Sequence, residues 1–248
     1  MTRNLVVGQV QSIDFLKAWV MLLKKCVESE NPLCFGDIDE PKSLRGEICS
    51  RAILSSNAIR QILNGAEFLG KSSLIPFGKA YIEKYKQEYT LEFIDAQRKL
   101  PDGHAQKFVY NYFDRFWYYP TIGGTFNQVL ALKKGLGEQI QNAIFSNRHQ
   151  MITWVPHIDA FSPSPPCLQR IWITALGGNS VEVHLDWRSR DLYGAWHVNL
   201  VALINMVDKF IVKPNDCKIV RVVDYCDSLH IYNGDWQTAC KVVEDYGI

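Results

Sequence analysis

A cysteine, an arginine–serine pair, an aspartate, an asparagine and a histidine–tyrosine pair follow one another through the second half of this chain: Cys167, Arg188 and Ser189, Asp191, Asn199, His230 and Tyr232. Cys167 follows the proline-rich run Ala160 to Pro166 and opens an apolar stretch, a rigid place to present a thiol. A guanidinium beside a thiol favours the thiolate, the nucleophilic form. Arginine with serine also makes a phosphate grip, a fork of donors plus a hydroxyl. His230 and Tyr232 are two apart, so on a strand they share one face. Plainer readings stay open on these residues alone. A cysteine at a strand start also serves as core, and an Arg-Ser dipeptide as a solvated surface pair.

The flanking patterns say which elements must hold these groups. Leu168 to Ala175 and Val181 to Leu185 read as two strands joined by the turn Gly177-Gly178-Asn179. His197 to Phe210 reads as a buried helix and Ile219 to Val223 as a strand. Upstream, Ile13 to Cys26 has the spacing of a helix with one buried face, and Lys79 to Phe93 that of a second, followed by the breaker Leu100 to Gly103. Arg45 to Leu54 fits strand or short helix equally. Gly36 to Pro41 and Pro76 to Gly78 are turn-like, Phe108 to Tyr119 is an aromatic run suited to the core, Thr125 to Ile144 reads as a helix, and Met151 to Val155 as a short strand.

Composition narrows the class. The chain has 248 residues, 47% hydrophobic and 21% charged, with a formal net charge of +1. That suits a large core and argues against disorder and against a phosphate-tracking nucleic-acid binder. No apolar run approaches the roughly 20 residues of a membrane span, and the N-terminus does not read as a signal peptide. The 7 cysteines are odd in number, irregular in spacing and without a CxxC pair, which points to reduced thiols, a cytoplasmic protein and no metal site. Without repeat or linker, residues 1–248 are expected to form a single domain.

Order and spacing together resemble a known family. Pro165-Pro166-Cys167-Leu168-Gln169, Arg188-Ser189-Arg190-Asp191, His197-Val198-Asn199 and His230-Ile231-Tyr232 resemble the thymidylate synthases, above all the short archaeal type, which also reads PCLQ. Val109-Tyr110 with Arg115 and Asn127-Gln128, and Ser146-Asn147-Arg148 with Ile152-Thr153-Trp154, resemble further blocks of that family. The likeness runs from Phe108 to Trp236 and is faint before Phe108.

The resemblance implies an α/β (α+β) fold, a large, mostly antiparallel twisted sheet flanked by helices, and a homodimer packed sheet to sheet. It implies one-carbon transfer from a methylene-bearing reduced pterin, 5,10-methylenetetrahydrofolate or a methanopterin analogue, to C5 of a pyrimidine nucleoside monophosphate. Cys167 then matches the nucleophile that adds to C6. Arg188 and Ser189 match the phosphate and thiolate partners, and Arg148 an arginine donated across the dimer interface. Arg45, in LRGE, matches more weakly a phosphate arginine of an N-terminal loop. Asn199 matches the base reader; an amide can donate to O4 and accept from N3–H of uracil, whereas members acting on dCMP carry aspartate there. His230 and Tyr232 match the pair on the sugar 3′-hydroxyl, Asp191 the pterin-holding aspartate, and Tyr110 a proton-transfer tyrosine. Glu88 is the candidate glutamate base, with Glu92 second.

The sequence also departs from the family. Asn147 stands where a second phosphate arginine is usual, Leu168 where many members have histidine, Trp187 where glutamine is usual, and Ala195 where a glycine lies under the pterin. The chain given ends at Ile248, so a single domain without the usual C-terminal closing tail is expected. A more open site favours addition of water, rather than hydride, to the exocyclic methylene left at C5, which gives hydroxymethyl in place of methyl. Asn199 and the likeness to the archaeal type favour dUMP methylation, which is the first expectation, with 5-hydroxymethylation of dUMP, dCMP or CMP the alternative. A catalytically retired nucleotide-binding protein comes second among alternatives, and an RNA-binding module is disfavoured by the charge.

Overall fold

A computed structural model describes residues 6–29, 44–55, 57–69 and 75–247. The turn expected at Gly36 to Pro41 lies outside them. Strand β1 (Val6–Ser12) leads into helix α1 (Phe15–Val27). Asp14 caps α1 by accepting from the Lys17 N–H at 2.8 Å. Phe15, Ala18, Trp19, Leu22, Leu23 and Cys26 form its buried face. The undecided segment is a strand, β2 (Leu44–Ser55). Short helices α2 (Asn57–Leu63) and α3 (Gly65–Leu69) follow.

The helix expected over Lys79 to Phe93 is two: α4 (Lys79–Gln87) and α5 (Leu91–Lys99). Thr90 causes the break. Its hydroxyl accepts from the Phe93 N–H at 3.3 Å and donates to the Gln87 carbonyl at 2.8 Å, capping the second helix and closing the first. The aromatic run is only partly core. Phe113 and Phe116 on α6 (Tyr112–Trp117) are buried, whereas Phe108 and Val109 are exposed. A hairpin of β3 (Tyr119–Thr121) and β4 (Gly124–Phe126) takes up Thr125, and α7 (Gln128–Gln141) starts only after Asn127, whose side chain accepts from the Leu130 N–H at 2.9 Å.

The remaining strands and α-helices are β5 (Gln150–Ile152), α8 (Pro156–Asp159), β6 (Leu168–Gly177), β7 (Ser180–Trp187), β8 (Arg190–Asp191), α9 (Trp196–Val207), β9 (Lys218–Tyr232) and α10 (Trp236–Tyr246), with a π-helical turn, Asp208–Val212, directly after α9. The β6–β7 turn pairs Gly177 with Ser180 and puts Gly178 and Asn179 at φ 54° and 58°, the left-handed pair that a tight hairpin requires.

The large sheet has seven strands in the order β1-β2-β9-β7-β6-β5, with β8 also on β9. Antiparallel pairing carries most of its ladder, in β2–β9, β6–β7 and β5–β6; the β1–β2, β7–β9 and β8–β9 pairs are parallel. Helix α9 is apolar nearly all round and buried, as a central helix must be. On the other face of the strands, Arg51, Arg170, Trp172, His184 and Tyr225 are exposed or half-buried. Among the described residues no helix is long and apolar enough to cross a membrane.

Sheet register gathers the chemistry at one end. Cys167 immediately precedes β6, whose Leu168 pairs with Trp187, and Arg188 follows Trp187. β8 pairs Asp191 with His230, and Tyr232 pairs with Leu44, beside Arg45.

Candidate active site

The proline run fixes the arginine rather than the cysteine alone. Arg188 Nη2 donates to the Pro165 carbonyl at 2.7 Å and Nε to the Pro166 carbonyl at 3.0 Å. Its backbone N–H donates to the Cys167 carbonyl at 3.0 Å. With the fork so held, Nη2 lies 3.7 Å from Cys167 Sγ. Prolines suit this role because their carbonyls sit on a stiff backbone. Arg188, and after it Arg190, draw the Cys167 thiol pKa down, but burial outweighs them and leaves it above the ordinary 9.0. The resting group is therefore a thiol, although the arginine beside it pulls the way the sequence suggests.

Tyrosines wall the cysteine. Tyr110 and Tyr112 have ring centroids 5.6 Å apart, and Tyr112 meets Trp187 edge-on at 5.8 Å. Burial pushes the Tyr110 phenol up, and a charge on nearby Cys167 adds to the rise. Asn111 locks this wall to the α4–α5 turn. Its Oδ1 accepts from the Phe113 N–H at 2.7 Å while its Nδ2 donates to the Glu88 carbonyl at 3.1 Å. A cavity of about 220 Å³ results, lined by Tyr85, Glu88, Tyr89, Tyr110 and Tyr112. Burial raises the Glu88 carboxyl, with Lys84 opposing. Glu92, by contrast, is exposed on α5.

Asn199 lies inside the first turns of α9 rather than at its cap, and is 7% exposed. Its Nδ2 donates to the Tyr85 hydroxyl at 2.6 Å. His197, two residues earlier, is fully buried between Phe77 and Trp19, with ring centroids 5.6 and 5.7 Å away. Neither of its ring nitrogens has a hydrogen-bond partner among the described residues. Burial, then Arg190, lowers its pKa to about 3, so it is neutral.

At the sugar end of the expected site, His230 and Tyr232 share a face of β9, their rings 4.8 Å apart. His230 Nδ1 is 3.1 Å from the Ser228 carbonyl and donates to it, which leaves Nε2 as a buried acceptor with no partner among the described residues. Asp191 Oδ1 accepts from the Gly194 N–H at 2.9 Å, and its carboxyl is raised chiefly by burial, with Asp235 adding. A side chain at Gly194 would run into that carboxylate. Ser189 sits half-buried between β7 and β8. The Arg45 guanidinium lies 5.8 Å from the Trp236 ring centroid, at the start of α10.

Arg148 is not in this group. It is exposed, and the next residue, His149, accepts from the Ile173 N–H at 3.0 Å. That is six residues along β6 from Cys167, on the order of 20 Å.

Sequence reasoning assigned no role to Tyr85, Arg190, Asp224 or His197. The available signals were faint: a tyrosine every four residues in Tyr81, Tyr85 and Tyr89, and an arginine and a histidine inside motifs whose other members drew the eye. Asp224 gives no sequence signal, since it is one aspartate in a strand. Among the described residues all six cysteines are free, and no cluster of His, Cys, Asp and Glu could hold a metal ion.

No family model matches the chain. Curated relatives do. A Methanothermobacter marburgensis protein named "Putative thymidylate synthase" is 23% identical over 235 residues, covering 94% of this chain and 96% of that protein. Proteins of the same name from Methanothermobacter thermautotrophicus and Methanosarcina acetivorans are each 26% identical, over 68% of this chain and 69% and 71% of their own lengths. The likeness first carried by the PPC, RSRD and HIY motifs thus extends over nearly the whole chain, which is thymidylate synthase-like in its sequence and in its mixed, mostly antiparallel sheet flanked by helices.

Proposed function

We propose that this protein transfers a one-carbon unit from a methylene-bearing reduced pterin to C5 of a pyrimidine nucleoside monophosphate, with dUMP methylation as the first reading. The observation that carries it is the Cys167–Arg188 pair, a thiol 3.7 Å from a guanidinium that two proline carbonyls hold in place.

Cys167 gives its proton to water, and the sulfur pair so freed forms the bond to C6. The C5–C6 π pair moves toward C5 and O4, where an N–H of Asn199 meets the developing charge. Arg188 and Ser189 hold the phosphate beside the attacking sulfur. His230 Nε2, an acceptor without a partner among the described residues, suits a sugar 3′-hydroxyl, with Tyr232 beside it. Tyr110 and Glu88, on the wall of the tyrosine cavity, move protons at the ring.

The pterin fits the residues present. The half-buried Asp191 carboxylate can accept from an amino-pyrimidinone edge, and Gly194 keeps its surroundings open. When bound, that cofactor supplies the one-carbon unit. A dimer packed on the sheet face that carries Trp172 and Tyr225 would bring Arg148 to the partner's phosphate; its distance from its own Cys167 supports that role.

The test is the product mass after incubation with dUMP, dCMP, UMP and CMP, each with methylenetetrahydrofolate and, separately, its methanopterin analogue. A gain of CH2 on dUMP, lost in Cys167→Ser, supports the reading. A gain of CH2O makes the enzyme a hydroxymethylase. No product from any pair, with nucleotide still bound, makes it a binding protein.

A further inference from the structure

The amide that matches the base reader has a partner of its own. Asn199 Nδ2 donates to Tyr85 Oη at 2.6 Å, the one hydrogen bond of that side chain among the described residues. Tyr85 stands on α4, which packs against α9. Its ring stacks with Tyr81 at 6.5 Å and tilts on Tyr89 at 5.8 Å. The Tyr85 and Tyr89 hydroxyls are 3.4 Å apart, and Tyr89 is 5% exposed. Burial pushes the Tyr85 phenol up to about 12, so it is neutral near pH 7.

Asparagine offers one carbonyl oxygen and two amide protons. With one proton on Tyr85, the other proton and Oδ1 remain. Uracil presents an acceptor at O4 and a donor at N3, which fit that remainder. Cytosine presents a donor at N4 and an acceptor at N3, and needs the amide turned over. Turning it aims Oδ1 at the Tyr85 oxygen. Two acceptors then face each other unless Tyr85 turns its own proton to Oδ1; either hydroxyl of the Tyr85–Tyr89 pair can donate, and where Tyr85 is the donor that turn breaks their contact.

We infer that Tyr85 is a positioning residue for base choice: it holds the Asn199 amide in the uracil-reading orientation, and Tyr89 fixes the hydroxyl that does so. The inference rests on the reading of the Cys167 site as a pyrimidine nucleotide site.

Calorimetric titration of the full chain with dUMP and with dCMP tests it, on the wild type, Tyr85→Phe and Tyr89→Phe, with circular dichroism as the check on folding. The wild type is expected to prefer dUMP. In Tyr85→Phe the ratio of the two Kd values should fall about tenfold, the scale of one hydrogen bond turned from made to opposed. Tyr89→Phe should lower it by a smaller factor. Equal weakening of both nucleotides in Tyr85→Phe would overturn the inference, as would a wild type that binds both equally, with the nucleotide site left standing. A wild type that binds neither nucleotide overturns the site reading itself, and this inference with it. If Tyr85→Phe does not fold, an unchanged ratio in Tyr89→Phe overturns the lock.

Discussion

Arg190 Nη1 meets Asp224 Oδ1 at 2.8 Å with 1% of each side chain exposed. The indole N–H of Trp187 donates to the same carboxylate at 3.0 Å and that of Trp196 at 2.8 Å, while the Arg190 guanidinium stacks 4.0 Å from the Trp187 ring centroid. Trp187 is thus one wall of a buried ion pair. Burying two charges is costly, and three donors on one carboxylate offset that cost.

Removing one partner should therefore be severe. Asp224→Ala is expected to cost about 3–5 kcal/mol, because it strands a buried guanidinium. Urea denaturation measures it. A cost no larger than that of a surface substitution would mean that water reaches Arg190.

His197 sets an acid limit on stability. Its folded pKa is depressed to about 3, below the ordinary 6.5, so the unfolded chain takes up a proton that the native state refuses. The sign follows: this contribution is complete above about pH 6.5 and is lost toward pH 3, at about 1.4 kcal/mol per pH unit. Thermal melts from pH 7 to pH 4 should show His197→Leu with the shallower decline. His149 and His230 are also lowered by burial and leave part of the limb in place.

These two features mark what the sequence hides. Cys167 and Arg188 fall at one end of the sheet because their motifs sit at the ends of β6 and β7, which alternation and the Gly177-Gly178-Asn179 turn announce; His230 and Tyr232 join them only because β9 runs on to Tyr232, well past the strand legible at Ile219 to Val223. The Arg190–Asp224 pair joins residues 34 apart and depends on a parallel pairing, β8 with β9, that no local pattern announces. The α4–α5 break was hidden for another reason. The apolar spacing continues through it, and one capping threonine outweighs that spacing. Helix α10 went unread because its apolar face is short and follows directly on the HIY strand.

Cys167 should alkylate as a half-buried thiol. Its pKa lies above 9.0, so the iodoacetamide rate, followed by mapping the Cys167 peptide, should rise about tenfold per pH unit up to that range. Arg188→Gln removes the larger of the two lowering charges and should slow alkylation several-fold at pH 8. A rate that levels off near pH 7 would show a thiolate already present at rest.

Glu88 and Glu92 separate cleanly. Glu88→Gln should lower kcat by about 10²–10³ with nucleotide Kd unchanged, the scale of a lost proton-transfer group. Glu92→Gln, on the exposed side of α5, should leave kcat within twofold, at about the limit of assay error. Equal effects would remove the tyrosine cavity from the proton path.

Arg148 supplies the sharpest test of a shared site, because it is exposed and on the order of 20 Å along β6 from its own Cys167. Arg148→Ala should raise the nucleotide KM at least tenfold while the melting temperature stays put, since the exposed Arg148 side chain makes no hydrogen bond or ion pair among the described residues. Cys167→Ser should be inactive. Mixing the two after dilution from denaturant forms mixed pairs in which one site has its own Cys167 and receives Arg148 from the partner. Activity at low nucleotide should then return to about a quarter of the wild-type value, for random assortment of equal parts with one good site in each mixed dimer. No recovery, with mixed dimers verified by mass, would place Arg148 outside the site altogether and leave the phosphate to Arg188 and Ser189.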